Sequence, residues 1–309
     1  MNLSPEYLAV LANSTIRMTT PILLVTLAAA LCTRVKLFNI ALEGAMIAGA
    51  FFSIVANYYT GSVWLSVAAG AVSGMAVCGL VGFCVVHLKA SAVVAGLAAN
   101  TLMTAATTYL LSIIFNTKGV FTHPSLVSLP KITLPGVSRI PFIGTLFSGL
   151  TPLDYLAFGL AGLLYVFLYK TVPGFRLRAV GINPEAARSL GTPVERWQLL
   201  TITFSGLLCG LGGCLLSMGT VTLFIQNITS GRGYIALAAN TLGQSHPLGV
   251  LLSCGFFGFS QAVGNALQNT ALKTQMTFSI PYAATIIALI AFHLYTQHKK
   301  KKAKEALLH

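Results

Sequence analysis

Charge is the scarcest commodity in this chain of 309 residues: Asp, Glu, Lys and Arg make up only 8%, and just six residues are acidic. Ordinary soluble domains carry about a quarter charged residues, so a water-facing globule is excluded. The acids are Glu6, Glu43, Asp154, Glu185, Glu195 and Glu305, and no two share an apolar run. A carboxylate pair for acid–base chemistry is therefore hard to assemble. Also missing are a GxxxxGK[ST] phosphate loop, an HExxH zinc motif and a GxSxG nucleophile turn. These absences argue against ATP hydrolysis by this chain and against a membrane hydrolase. The six cysteines (Cys32, Cys78, Cys84, Cys209, Cys214, Cys254) show no CxxC spacing and no histidine cluster nearby, and read as small packing residues rather than metal ligands or disulfides. The first residues show neither a basic leader nor a small-residue cleavage site, so the first apolar segment is expected to stay.

What is present is apolar. Hydrophobic residues make up 55% of the chain and the mean hydropathy is +0.80. Strand-like alternation is absent, and several runs reach the roughly 20 residues that a helix needs to cross a bilayer. The expectation is an all-α, polytopic membrane bundle with spans near 18–33, 36–57, 62–86, 91–115, 153–170, 198–221, 247–268 and 279–296. A ninth apolar piece at 233–243 is too short to span and reads as a re-entrant or broken helix shielded by its neighbours. The whole length, 1–309, reads as one transmembrane domain with loops at 116–152 and 171–197 and a basic tail at 297–309.

The net charge of +13 fits the retention of Lys and Arg on the cytoplasmic side better than an affinity for nucleic acid. A cytoplasmic KKKKAKEALLH tail places the N-terminus outside, with Arg34, Lys36, Lys89, Lys170, Arg176, Arg178, Arg188 and Arg196 inside. Under that topology a repeat gains direction. LAANTL occurs at 97–102 and again at 237–242, and each copy follows a related stretch, SGMAVCGLVGFC from Ser73 and SGLLCGLGGC from Ser205. Both pairs run in opposite senses, the pattern of an inverted-topology repeat. The same spans hold the GxxxG pairs Gly70/Gly74 and Gly206/Gly210, which permit close helix approach.

Polar groups within spans are costly and each asks for a partner or a function. Glu43 is read as the one acid inside a span, with Asn39 four residues earlier on the same helix face. It is either a station beside a solute route or a carboxylate satisfied locally near Arg34 and Lys36. Asn100 and Asn240, one in each repeat copy, either line a path or hold helices together. Gln244, then Gln261, Asn265 and Gln268 at helical spacing, continue the polar trail. In the loop, Asn183, Pro184 and Glu185 make a helix start and Gly191 a stop. A helix of about seven residues is too short to persist unsupported and should dock onto something.

Three stretches carry a family resemblance: FNIALEGAMIAGAF, FRLRAVGINPEAARSLG, and ITSGRGYIALAANTLGQSHPLG with FGFSQAV. From about Pro21 to Tyr295 the chain resembles permease subunits of bacterial ABC importers in the branched-chain amino acid, ribose and nucleoside group, and most of all the nucleoside branch. The resemblance implies alternating access without covalent catalysis and with no cofactor on this chain, ATP being bound by partner ATPase subunits in the cytoplasmic membrane system. It also implies a second permease subunit, a solute-binding protein, and specificity for a nucleoside, with ribose-like sugars or branched-chain amino acids as alternatives. On that likeness Arg178, Gly181, Asn183, Pro184, Glu185, Ala186, Ala187, Arg188 and Gly191 form or flank the coupling helix that meets the ATPase. Asn39, Glu43, Asn100, Asn240, Gln244, Gln261 and Asn265 are the candidate path residues. A stand-alone secondary transporter or channel is the reading from another class.

Overall fold

The computed structural model describes residues 5–132, 144–146 and 148–268, with four further positions between 283 and 290. Apart from those four, the expected last span, 279–296, and the basic tail lie outside the described residues. Ten α-helices follow one another in the rest: α1 (Pro5–Arg34), α2 (Leu42–Thr60), α3 (Val63–Val86), α4 (Ala92–Phe115), α5 (Pro152–Lys170), α6 (Val172–Ile182), α7 (Pro184–Ser189), α8 (Val194–Cys214), α9 (Arg232–Leu242) and α10 (Pro247–Gln268). A π-helical turn, Leu215–Thr220, extends α8, and β1 (Val120–Phe121) pairs antiparallel with β2 (Phe224–Ile225).

Among the described residues six helical stretches are long and apolar enough to cross a membrane: Tyr7–Arg34, Val63–Val86, Ala92–Phe115, Pro152–Lys170, Val194–Gly219 and Pro247–Leu267. The first is longer than its apolar run. Helix α1 starts at Pro5 rather than near 18, because its polar first half finds partners: Asn13 Nδ2 donates to the carbonyls of Thr145, Leu146 and Ser148. Pro21 lacks an N–H and so frees the Arg17 carbonyl, which lies 3.2 Å from the Thr20 hydroxyl. The second expected span departs further. Residues 35–41 are not helical, and α2 begins only at Leu42.

The centre of the molecule is a crossing of α3 with α8. Gly70 faces Cys214, Gly74 faces Gly206 and Gly82 faces Ile202, so the two helices run antiparallel. A Cβ on Gly74 would come within 2.2 Å of the Gly206 carbonyl, and one on Gly206 within 2.3 Å of the Gly74 carbonyl. Only hydrogen fits at that point, so the two GxxxG pairs of the sequence face each other. Helix α2 closes on the same crossing through Gly49 against Gly210 and Gly213 against the Met46 carbonyl. Around this glycine seam an apolar core runs from Ile22 and Leu23 on α1 to Cys254 and Phe257 on α10, with the hydroxyls of Ser53, Ser66 and Ser205 buried beside it.

Candidate functional site: a polar cleft beside a half-length helix

The 11 residues of α9 rise about 16 Å, half of a hydrocarbon core. Its amino end therefore sits deep in the bundle, and its N-cap is Gly231, which has no side chain to offer. Glu43 serves instead. Its Oε1 accepts from the Thr229 hydroxyl and from Gly231 N at 2.9 Å, and its Oε2 from Gly233 N at 2.6 Å. A carboxylate on the unpaired N–H groups of a helix start is favoured by hydrogen bonding and by the helix dipole alike. Gly233 permits the approach, since a Cβ there would lie 2.6 Å from Glu43 Oε2. The other end of α9 meets a cation. Arg34 donates through Nε (3.0 Å) and Nη2 (2.8 Å) to the Ser245 carbonyl, in a turn where Gln244 and Ser245 both have positive φ.

Helix α2 is capped in the same borrowed manner. Its N-cap residue is Ala41, and Asn100 on α4 supplies the amide: Oδ1 accepts from Gly44 N at 2.7 Å while Nδ2 donates to the Ile40 carbonyl at 2.9 Å and to the Tyr234 hydroxyl at 3.1 Å. Asn39 does not pair with Glu43. It lies before the helix, where its Oδ1 accepts from Ala41 N and its Nδ2 donates to the Ser205 hydroxyl. The i, i+4 geometry expected of the two residues fails because residues 37–41 are not helical and α2 begins only at Leu42. Gln198 completes the set by donating to the Val35 carbonyl, so this irregular backbone is satisfied by protein rather than exposed to lipid.

Glu43, Asn100 and Tyr234 open onto a cleft of about 1140 Å³ between α4 and residues 226–234. It exceeds the roughly 300–1,000 Å³ of ordinary small-molecule sites, and on α4, which forms one of its walls, Leu97, Leu102 and Ile113 are exposed. Its α4 wall carries Thr101, Thr104, Thr108 and Ser112, and the facing wall Gln226, Asn227 and Ser230. Each α4 hydroxyl donates back to a carbonyl of its own helix, which leaves oxygen lone pairs as the groups free to face a solute. The hydroxyl stripe is visible in the sequence as TLMTAATTYLLS, at positions 101, 104, 108 and 112. It passes unremarked when charges and amides are sought first.

Five candidate path residues do not line the cleft. Asn240 donates from Nδ2 to the Thr33 hydroxyl at 3.0 Å, and its buried Oδ1 has no partner among the described residues. Gln244 is exposed in the α9–α10 turn, and Gln261 and Asn265 stand far along α10, where Asn265 reaches Met18 of α1. Glu43 is not the only acid drawn in. Asp154 is also buried, in a capping box with Thr151 at the start of α5, where it accepts from the Thr20 hydroxyl as well.

At the opposite end from the cleft mouth, α7 forms as its spelling dictates. The Asn183 side chain accepts from Glu185 N and Ala186 N, both at 3.1 Å, and Gly191 ends the turn at φ +78°. Ala187 is buried, Gly181 lies against the Arg34 carbonyl, and Arg178 stacks 4.7 Å from the centre of the Tyr169 ring. Those three face their own domain. Outward stand Glu185, Ala186 and Arg188, flanked by Ile182 at 82% and Leu190 at 85% exposure. Arg188 meets Glu195 at 3.3 Å on the surface.

A multi-span helical bundle with a half-length helix pinned beside a cleft is an integral membrane protein in class. Comparison with known proteins narrows this. The chain belongs to the family described as "Branched-chain amino acid transport system / permease component", whose profile matches residues 11–290. It is similar to the guanosine ABC transporter permease protein NupQ of Bacillus subtilis, at 32% identity covering 93% of each chain. The nucleoside ABC transporter permease protein NupC of Lactococcus lactis is 31% identical and covers 94% of each chain. TsgC13 of Haloferax volcanii, provisionally named a glucose ABC transporter permease, is 30% identical over 98% of this chain and 97% of its own.

Proposed function

We propose that the chain is the permease subunit of an ATP-driven ABC importer for nucleosides, and that the cleft between α4 and residues 226–234 is its part of the translocation path. The observation that carries this reading is the cleft's polar make-up. Acceptor hydroxyls on one wall face amides on the other, with Lys118 also in the lining, which suits a solute that carries several O–H and N–H groups together with acceptor atoms. Two relatives named for guanosine and nucleosides point the same way. A sugar is the second reading, favoured by the glucose-named relative. A branched-chain amino acid fits less well, because its ammonium group needs a counter-charge. The acid lining the cleft, Glu43, already spends both oxygens on α9.

The exposed face of α4 is where a second permease subunit closes the path. The end bearing Arg34, Lys89, Lys170 and Arg196 is cytoplasmic in this reading, with the N-terminus outside, following the bias of basic residues. The antiparallel α3–α8 crossing at Gly74 and Gly206, each followed by a LAANTL helix, supports an inverted repeat. Helix α7 meets the ATPase through Ile182, Glu185 and Leu190. Motion there passes from Gly181 to the Arg34 carbonyl, through the Arg34 side chain to the foot of α9, and along α9 to Glu43 at the cleft. Uptake of labelled guanosine, glucose and leucine by cells expressing the complete transporter tests the proposal. Guanosine uptake that requires the ATPase is expected, and saturable leucine uptake in its place overturns the nucleoside assignment.

A further inference from the structure

Away from the cleft, α1, α5, α6 and α8 enclose a second space of about 260 Å³ with a different character. We propose that it holds an acyl chain of an anionic phospholipid whose phosphate is bound by Lys170 and Arg196. The floor is made of Leu31, Leu164 and Leu177, all buried, whereas Leu163 and Leu200 at the rim are 61% and 65% exposed. The slot is thus open between Leu163 and Leu200. Its one lining hydroxyl, Thr201, donates to the Trp197 carbonyl at 2.7 Å. Water entering there would find no partner, so a hydrocarbon chain is the occupant that the walls accept.

The charges lie where a headgroup would need them. Lys170 follows Leu163 by seven residues and Phe167 by three, and Arg196 precedes Leu200 by four and Phe204 by eight. Each cation therefore prolongs the slot-lining stripe of its own helix toward the basic end. Both are exposed, and among the described residues neither forms an ion pair. Glu195, the neighbouring acid, is engaged with Arg188. Trp197 lies at the same level, the position that aromatic residues favour at a membrane interface. A polar-free slot with two cations at its end matches the tail and head of one anionic lipid and gives no preference to a zwitterionic one.

The test is native mass spectrometry of the purified full-length chain, titrated with phosphatidylglycerol and with phosphatidylcholine of the same acyl chains. A one-to-one phosphatidylglycerol adduct is expected, and the Lys170→Gln/Arg196→Gln variant should bind it about thirtyfold more weakly. Leu200→Trp, which fills the rim and leaves both cations in place, should lose the adduct as well. Equal binding of the two lipids, or a phosphatidylglycerol preference that survives the double charge variant, overturns the proposal. So does a slot already filled by residues 279–296, which would show as a cross-link from a cysteine at Leu163 to that segment with no lipid adduct. The outcome does not depend on which solute is carried.

Discussion

Replacing Glu43 with Gln keeps the shape of the side chain and removes what pins α9. In the less costly orientation the amide oxygen keeps the Thr229 hydroxyl and Gly231 N, and the amide NH₂ takes the place of Oε2 against Gly233 N. One buried N–H then faces another donor, at a cost of about 1–3 kcal/mol. The lost charge at the helix start costs up to about 2 kcal/mol more in a partly buried setting. Together these give about 1–5 kcal/mol, concentrated on α9 rather than spread over the bundle. Hydrogen–deuterium exchange in α9 should therefore accelerate by roughly fivefold to a few thousandfold, with the α3 and α8 amides unaffected. Glu43→Asp keeps the charge but falls one methylene short, and should lie between Gln and wild type. The reasoning is refuted if Glu43→Gln leaves α9 exchange unchanged and only raises the KM for uptake. That result would make Glu43 a solute contact and not a cap.

Asn100→Ala strips Gly44 N and the Ile40 carbonyl of their partner at once, and should cost about 2–4 kcal/mol in thermal unfolding. Asn100→Asp should not rescue it, since a carboxylate oxygen would then face that carbonyl. Gly74→Leu drives a side chain into the Gly206 carbonyl and should abolish the monodisperse peak of the purified protein in size-exclusion chromatography. Gly79→Leu, on the same helix but with only Thr203 at 3.5 Å, should keep that peak. Ile182→Asp with Leu190→Asp should uncouple uptake from ATP hydrolysis without lowering thermal stability, because both positions are exposed. Ala187→Asp should instead fail by destabilising the loop.

The composition and the turn chemistry were legible because they act locally. Asn183, Pro184 and Gly191 write a short helix into any context, and the 11 apolar residues around Ala236 are too few to span in any fold. The glycine seam could also be read, since GxxxG on two helices has few other uses. The start of α2 could not. Nothing in FNIAL forbids a helix, and its non-helical path is held by Asn100, Gln198 and Ser205, the closest of them 60 residues away. Tertiary partners overrode local propensity there, and the misplaced Asn39–Glu43 pair followed. Asp154 was missed for a related reason. It sits at the very edge of its apolar run, where a capping acid looks like a loop residue.

The borrowed caps also bear on the order of synthesis. Asn100 lies 56 residues beyond the Gly44 amide it serves, while the groups that occupy Glu43 come 186 to 190 residues after it. A nascent chain that has laid α2 into the membrane therefore carries an uncompensated carboxylate until the ribosome has passed Gly233. Through most of translation α2 has a reason to stay near water or a chaperoning insertase, and the arrival of α9 is what lets it settle. Chains cut short before that point should be recognised as unfinished by the quality-control proteases of the membrane, whatever their apolar content.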